Sequence, residues 1–245
     1  MANWRDCEMN EIKAQSRLSD NLRAGLSLAL GMLVVLWRVF LPTNVTITVG
    51  IVILVAALDL VLLAALIILN KDELRAVFAK KITLKTVLIT LLCYVLFFVG
   101  TIIWNNVVLI AGNLVTGEAD IATLFGAYEA EVWMPPQSPA AWVGLEFSRI
   151  FPIGFFISSV IAAPIWEEIA FRMAGKNLIK NKLLFVLVTT ILFVFIHTGF
   201  AFETGGGYAY AGIAFAVIYL TTKDIRVAMG VHLLNNLLAN IMLWI

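Results

Sequence analysis

Long apolar runs alternate with short polar segments along the whole chain. The runs cover about residues 24–41, 45–69, 86–115, 151–166, 183–198, 208–220 and 227–245. A bilayer core about 30 Å thick takes about 20 apolar residues in a helix to cross. In hydrocarbon every backbone polar group must be satisfied within the segment, so runs of this kind read as helices. The pattern predicts an all-α, polytopic transmembrane helix bundle of about seven spans, with six to eight as the range. The third run sets that range. It is longer than one crossing needs, so it either tilts, breaks around Asn105–Asn106, or emerges from the membrane as a helix.

The chain divides on this pattern into three parts. Residues 1–23 form a polar amino-terminal tail, read either as a short amphipathic surface helix, using Ile12, Leu18 and Leu22, or as a solvated segment. Residues 24–148 hold the amino-terminal spans and an acidic loop. Residues 149–245 form the carboxyl-terminal membrane core. Composition agrees with a membrane protein: 62% of the 245 residues are hydrophobic and 13% charged, against about 45–50% and about 25% in soluble domains. The net charge of +1 gives no nucleic-acid footprint. Cys7 and Cys93 lie in unlike settings and are not read as a disulfide. The first apolar run ends without a small-x-small pattern, so no cleavable signal peptide is expected.

Charge gives the expected orientation. Lys and Arg gather in the tail, in the connector 70–85, in the turn 176–182 and in the turn 223–226, while the segment 116–146 is acidic and has neither. The positive-inside rule then places the amino terminus in the cytoplasm of a multi-pass cell-membrane protein. Trp4, Trp37, Trp104, Trp133, Trp142, Trp166 and Trp244 fall mostly near span ends, as an interfacial belt does. The run Gly205–Gly207 reads as a turn without phosphate-loop context.

The polar residues inside the apolar runs carry the candidate chemistry. Each charge at the centre of a lipid-facing helix costs about 2.5–3.5 kcal/mol, so such groups mark polar interiors. Asp59 is read first as an interior structural contact. Glu167, Glu168 and Arg172 sit at the end of the fourth run; Glu168 and Arg172, four apart, suit an ion pair on one helix face, and Glu167 points elsewhere by about 100°. The two histidines, His197 and His232, both lie in apolar runs. Phe193 shares a face with His197, and Asn236 shares one with His232. A carboxylate and an imidazole around one water make a hydrolytic site, with a second imidazole and a carboxamide as oxyanion donors. Glutamates and histidines also make zinc ligands. A proton relay in a small transporter and a structural polar core use the same residues.

Glu167-Glu168-x-x-x-Arg172, Phe193-x-x-x-His197 and His232-x-x-x-Asn236, in this order and each on an apolar run, resemble the motifs of the CAAX-protease and bacteriocin-processing (Abi) family of intramembrane proteases. The resemblance covers roughly Phe151 to the carboxyl terminus and does not extend to residues 1–150. It implies an intramembrane endopeptidase that acts on a peptide or membrane-protein substrate, in bacteriocin or peptide processing, self-immunity or CAAX-type trimming. Glu167 would be the general base, His197 would hold the water, and His232 and Asn236 would stabilise the oxyanion. Glu168, Arg172 and Phe193 would support them. No cofactor is favoured, because HExxH is absent and an Asn suits hydrogen bonding better than zinc ligation. In a metallo-type enzyme the ligands would be Glu167, His197 and His232. The alternatives are a non-catalytic membrane scaffold or immunity protein and, third, a proton-coupled transporter. Substrate identity and oligomeric state are not legible.

Overall fold

A computed structural model of the chain describes residues 19–33, 49–116, 156–199 and 205–244. Among these residues the structure is all-helical, without strands. Eight helices follow one another: α1 (residues 19–33), α2 (Val49–Leu69), α3 (Lys71–Phe78), α4 (Leu84–Thr116), α5 (residues 156–178), α6 (Lys182–Thr198), α7 (Gly206–Thr222) and α8 (Ile225–Trp244). The expectations for residues 1–18, the acidic loop and the start of the fourth run lie outside the described residues.

One stretch, Leu84–Val108 in α4, is long and apolar enough to cross a membrane, and Ala56–Leu69, Lys182–Thr198 and Gly206–Thr222 are shorter apolar helices. Helix α4 runs unbroken through Asn105–Asn106 over 33 residues, about 50 Å at 1.5 Å per residue. Two of its polar side chains find partners without opening the helix. Asn106 donates to the Ile102 carbonyl at 2.7 Å, and the Trp104 indole donates to the Gly206 carbonyl at 2.9 Å. Leu88, Leu92, Leu96, Val99 and Ile103 are exposed along α4, whereas Phe97 turns inward and stacks on Phe215. An apolar face of this length is costly in water and costs nothing against lipid tails.

The connector between the second and third runs is more ordered than its charges suggest. Its first part folds as α3, which buries Leu74, half-buries Glu73 and exposes Lys71, Asp72 and Arg75. This end of the bundle also gathers the other basic segments. Asn177 donates to Glu73 at 3.0 Å, and Arg226 donates to the Lys80 carbonyl at 2.6 Å. Burial pushes the Glu73 carboxyl up, opposed by the Asn177 hydrogen bond and by Arg23 and Lys180.

The interior is built around α5. Trp166, Ile169, Phe171, Arg172 and Met173 are all fully buried, ringed by Phe193, Phe215 and Leu66. The EExxxR motif therefore stands in mid-helix, inside the bundle, rather than at the end of a span. Trp166 departs from the interfacial expectation for the same reason. Of the other tryptophans, Trp104 is half-buried on α4; the side chains at positions 4, 37, 133, 142 and 244 lie outside the described residues. Small residues allow the close crossings. A Cβ on Gly212 would stand 3.1 Å from the Thr190 Cα, and one on Gly175 would stand 3.0 Å from the Thr189 methyl, so α6 approaches both α5 and α7 closely.

Candidate active site

Three helices deliver the polar side chains, and the local sequence fixes each. Helix α5 is not a regular α-helix. It takes wide π-helical turns at Phe156–Ala162 and Glu168–Ala174, on either side of Ala163–Glu167. Such turns are rare and cluster at functional sites. Helix α6 begins under an Asn181 cap, whose side-chain oxygen accepts from the Leu184 N–H at 3.0 Å. It ends one residue after Thr198 at Gly199, whose φ of 59° and ψ of −121° suit only glycine. That stop leaves His197 in the last turn. Helix α8 begins at a turn where Asp224 accepts from the Arg226 backbone N–H at 3.1 Å, and His232 comes two turns later.

These elements bring Glu167, His197 and His232 together. His197 Nε2 lies 3.9 Å from Glu167 Oε1, and His232 Nε2 lies 3.8 Å from Glu167 Oε2. Each imidazole thus faces its own oxygen of one buried carboxylate. The opposite nitrogens fix the rings. His197 Nδ1 is 2.7 Å from the Phe193 carbonyl, and His232 Nδ1 is 3.0 Å from Glu168 Oε1. A carbonyl and a carboxylate only accept, so both Nδ1 atoms carry the hydrogen and both Nε2 atoms turn a lone pair to Glu167 in the neutral rings. Glu168 is paired in turn with Arg172, Nε to Oε2 at 3.4 Å, with both side chains at 0% exposure.

Phe193 forms the wall that these groups share. Its ring centroid is 4.5 Å from that of His197 and 5.9 Å from that of His232, and the Arg172 guanidinium lies 4.6 Å from it on a cation–π contact. Asn236, one turn beyond His232, donates to the Ser159 carbonyl at 2.8 Å and accepts from Asn235 at 3.3 Å. Asp59 is buried in α2 and accepts a hydrogen bond from Ser158.

Two site residues escape a reading by motif. Tyr208 stacks on His197 at 4.2 Å and Phe215 stacks on His232 at 4.3 Å, with interplanar angles of 21° and 22°. They are seven apart on α7 and so share its face. That spacing was the available signal, but α7 is apolar on every side and the chain has 16 phenylalanines, so nothing set this pair apart. Among the described residues no three His, Cys, Asp or Glu side chains are grouped to hold a metal ion.

The family comparison falls on this same region. A curated relative, the UPF0177 protein YaiH of Lactococcus lactis subsp. lactis, is 35% identical over 89 residues, which is 36% of this chain and 37% of the relative. The matching segment thus spans little more than a third of that relative's length. No solved structure matches the chain. Across residues 149–238, which hold all three motifs, the chain matches the Rce1-like family, described as type II CAAX prenyl endopeptidase Rce1-like.

Proposed function

We propose that the protein is an intramembrane endopeptidase in which Glu167 activates water. The single observation that carries this reading is the placement of two imidazole nitrogens, at 3.9 Å and 3.8 Å, on opposite oxygens of one buried carboxylate. Two imidazole lone pairs turned to one carboxylate suit a species that brings its own hydrogens, which we read as water. Glu167 takes one proton as the hydroxyl oxygen bonds to the peptide carbonyl carbon. His197 Nε2 accepts a hydrogen bond from the hydrogen that the attacking oxygen keeps, and so orients the attack. The C–N bond then breaks, and Glu167 returns its proton to the leaving amine. Asn236 has two amide hydrogens, one held by Ser159; the other serves the oxyanion, joined by the Nε2–H of His232 when that ring is protonated. The reading is metal-free and gives Glu168 the task of fixing the His232 ring through Nδ1.

The membrane setting completes the proposal. All helices except α3 cross the bilayer, seven in number. The tail, α3, the turn 176–182 and the turn 223–226 then share the cytoplasmic side, which the contacts of Glu73, Asn177, Arg226 and Lys80 at one end of the bundle support. The substrate is a peptide or the end of a membrane-anchored protein, and the family match favours a prenylated CAAX-type carboxyl terminus. The test is cleavage of a fluorogenic farnesylated CAAX peptide by the purified chain in proteoliposomes. Glu167→Ala and His197→Ala are expected to lose about 10²–10⁴-fold in rate while remaining folded and inserted. Undiminished cleavage by both variants would refute the assignment.

A further inference from the structure

Helix α2 belongs to the part of the chain that the family match leaves uncovered, yet it reaches the site through one buried acid. Asp59 is 5% exposed within an otherwise apolar helix. Its Oδ2 accepts the Ser158 hydroxyl hydrogen. Ser158 and Ser159 lie in the first π-helical turn of α5, Phe156–Ala162. In a π-helix the Ser159 carbonyl would accept from the backbone five residues on, and that residue is Pro164, which has no N–H. The donor comes instead from α8, as Asn236 Nδ2 at 2.8 Å. The side-chain oxygen of Asn236 accepts from Asn235 at 3.3 Å, so both ends of the carboxamide are fixed.

From this we infer that Asp59 is a positioning residue for Asn236: by anchoring Ser158 it holds the wide turn whose next carbonyl aims the Asn236 amide. A carboxylate only accepts, so the Ser158 hydroxyl has a single direction in which to donate, and the turn is pinned on the α2 side. On the α8 side it is pinned by Asn236 itself. The amino-terminal helices thereby take part in setting the site's geometry rather than only enclosing it. The inference rests on the proposed function for its effect on rate, but not for the contact itself.

The experiment uses the full chain, labelled with ¹⁵N-asparagine, in detergent micelles. Asn236→Ala removes one side-chain NH₂ pair from the spectrum and so identifies it. Asp59→Ala and Ser158→Ala are each expected to shift that pair while leaving the pair of Asn177, which donates to Glu73, in place. Asp59→Asn, whose amide oxygen can still accept from Ser158, is expected to restore most of the wild-type position. On the farnesylated peptide, the two alanine variants are expected to lose roughly 10-fold to 100-fold in kcat with little change in KM, less than the loss of an oxyanion donor outright at about 10²–10³-fold. An Asn236 pair unmoved in folded Ser158→Ala and Asp59→Ala proteins overturns the inference. A wild-type chain that cleaves no peptide overturns the proposed function instead, and the spectra still decide the role of Asp59.

Discussion

At the scale of single residues, the site depends on charges that are buried but paired. Glu168 and Arg172 form an ion pair at 0% exposure, and Glu168 also holds His232 Nδ1 at 3.0 Å. Removing one partner of a buried pair leaves an uncompensated charge and costs about 3–5 kcal/mol, whereas replacing both partners is often neutral. Glu168→Gln and Arg172→Met are therefore each expected to lower the unfolding temperature strongly, and the double variant to recover most of the loss. Recovery of stability should not bring recovery of activity. Neutralising the carboxylate behind a catalytic imidazole lowers kcat by up to about 10⁴-fold, and the double variant still lacks Glu168. Thermal unfolding in detergent, run beside the peptide assay, separates the two effects. The membership of this cluster was legible in the sequence because acids, an arginine and both histidines are rare in apolar runs. The link from Glu168 to His232 was not, because it joins residues 64 positions apart on different helices.

At the scale of elements, the helix crossings and caps do the positioning. Gly212 lets α7 approach α6 at Thr190, and its carbonyl faces Arg172 Nη2 at 3.4 Å. Gly212→Ala places a methyl 3.1 Å from the Thr190 backbone, tighter than ordinary contact. Such overpacking costs typically about 1–3 kcal/mol, and the unfolding temperature is expected to fall. The turn before α8 gives a pH dependence. The Arg226 guanidinium hydrogen-bonded to Asp224 holds that carboxyl below the usual carboxylate range, against a smaller opposing effect of burial. A depressed folded-state pKa means that the stabilisation is fully present above the unfolded value, about 3.9. It is lost as pH falls through the lower folded value. Asp224→Asn is expected to flatten the acid limb of the unfolding-temperature profile and to leave the slope near neutrality unchanged. The approximate bounds of α2, α6, α7 and α8 followed from hydrophobic runs. The π-helical turns of α5 did not, since nothing in the spacing of its apolar residues distinguishes a wide turn from a regular one. Helix α3 was hidden by its own charges, of which Lys71, Asp72 and Arg75 lie exposed while Leu74 is buried and Glu73 half-buried.

At the scale of the whole molecule, the chain is arranged inside out. Glu167, Glu168, Arg172 and His232 are among its most buried side chains, while leucines and isoleucines of α4 line the outside. Only a bilayer makes that distribution favourable, which is why composition was enough to name the class of protein. The most direct measurement compares membrane-derived peptides from cells expressing the wild-type chain and Glu167→Gln at equal protein levels. The account predicts a defined set of cleavage products, sharing one cut position, that is present with wild type and missing with the variant. Identical peptide profiles from the two, with both proteins folded in the membrane, would contradict it.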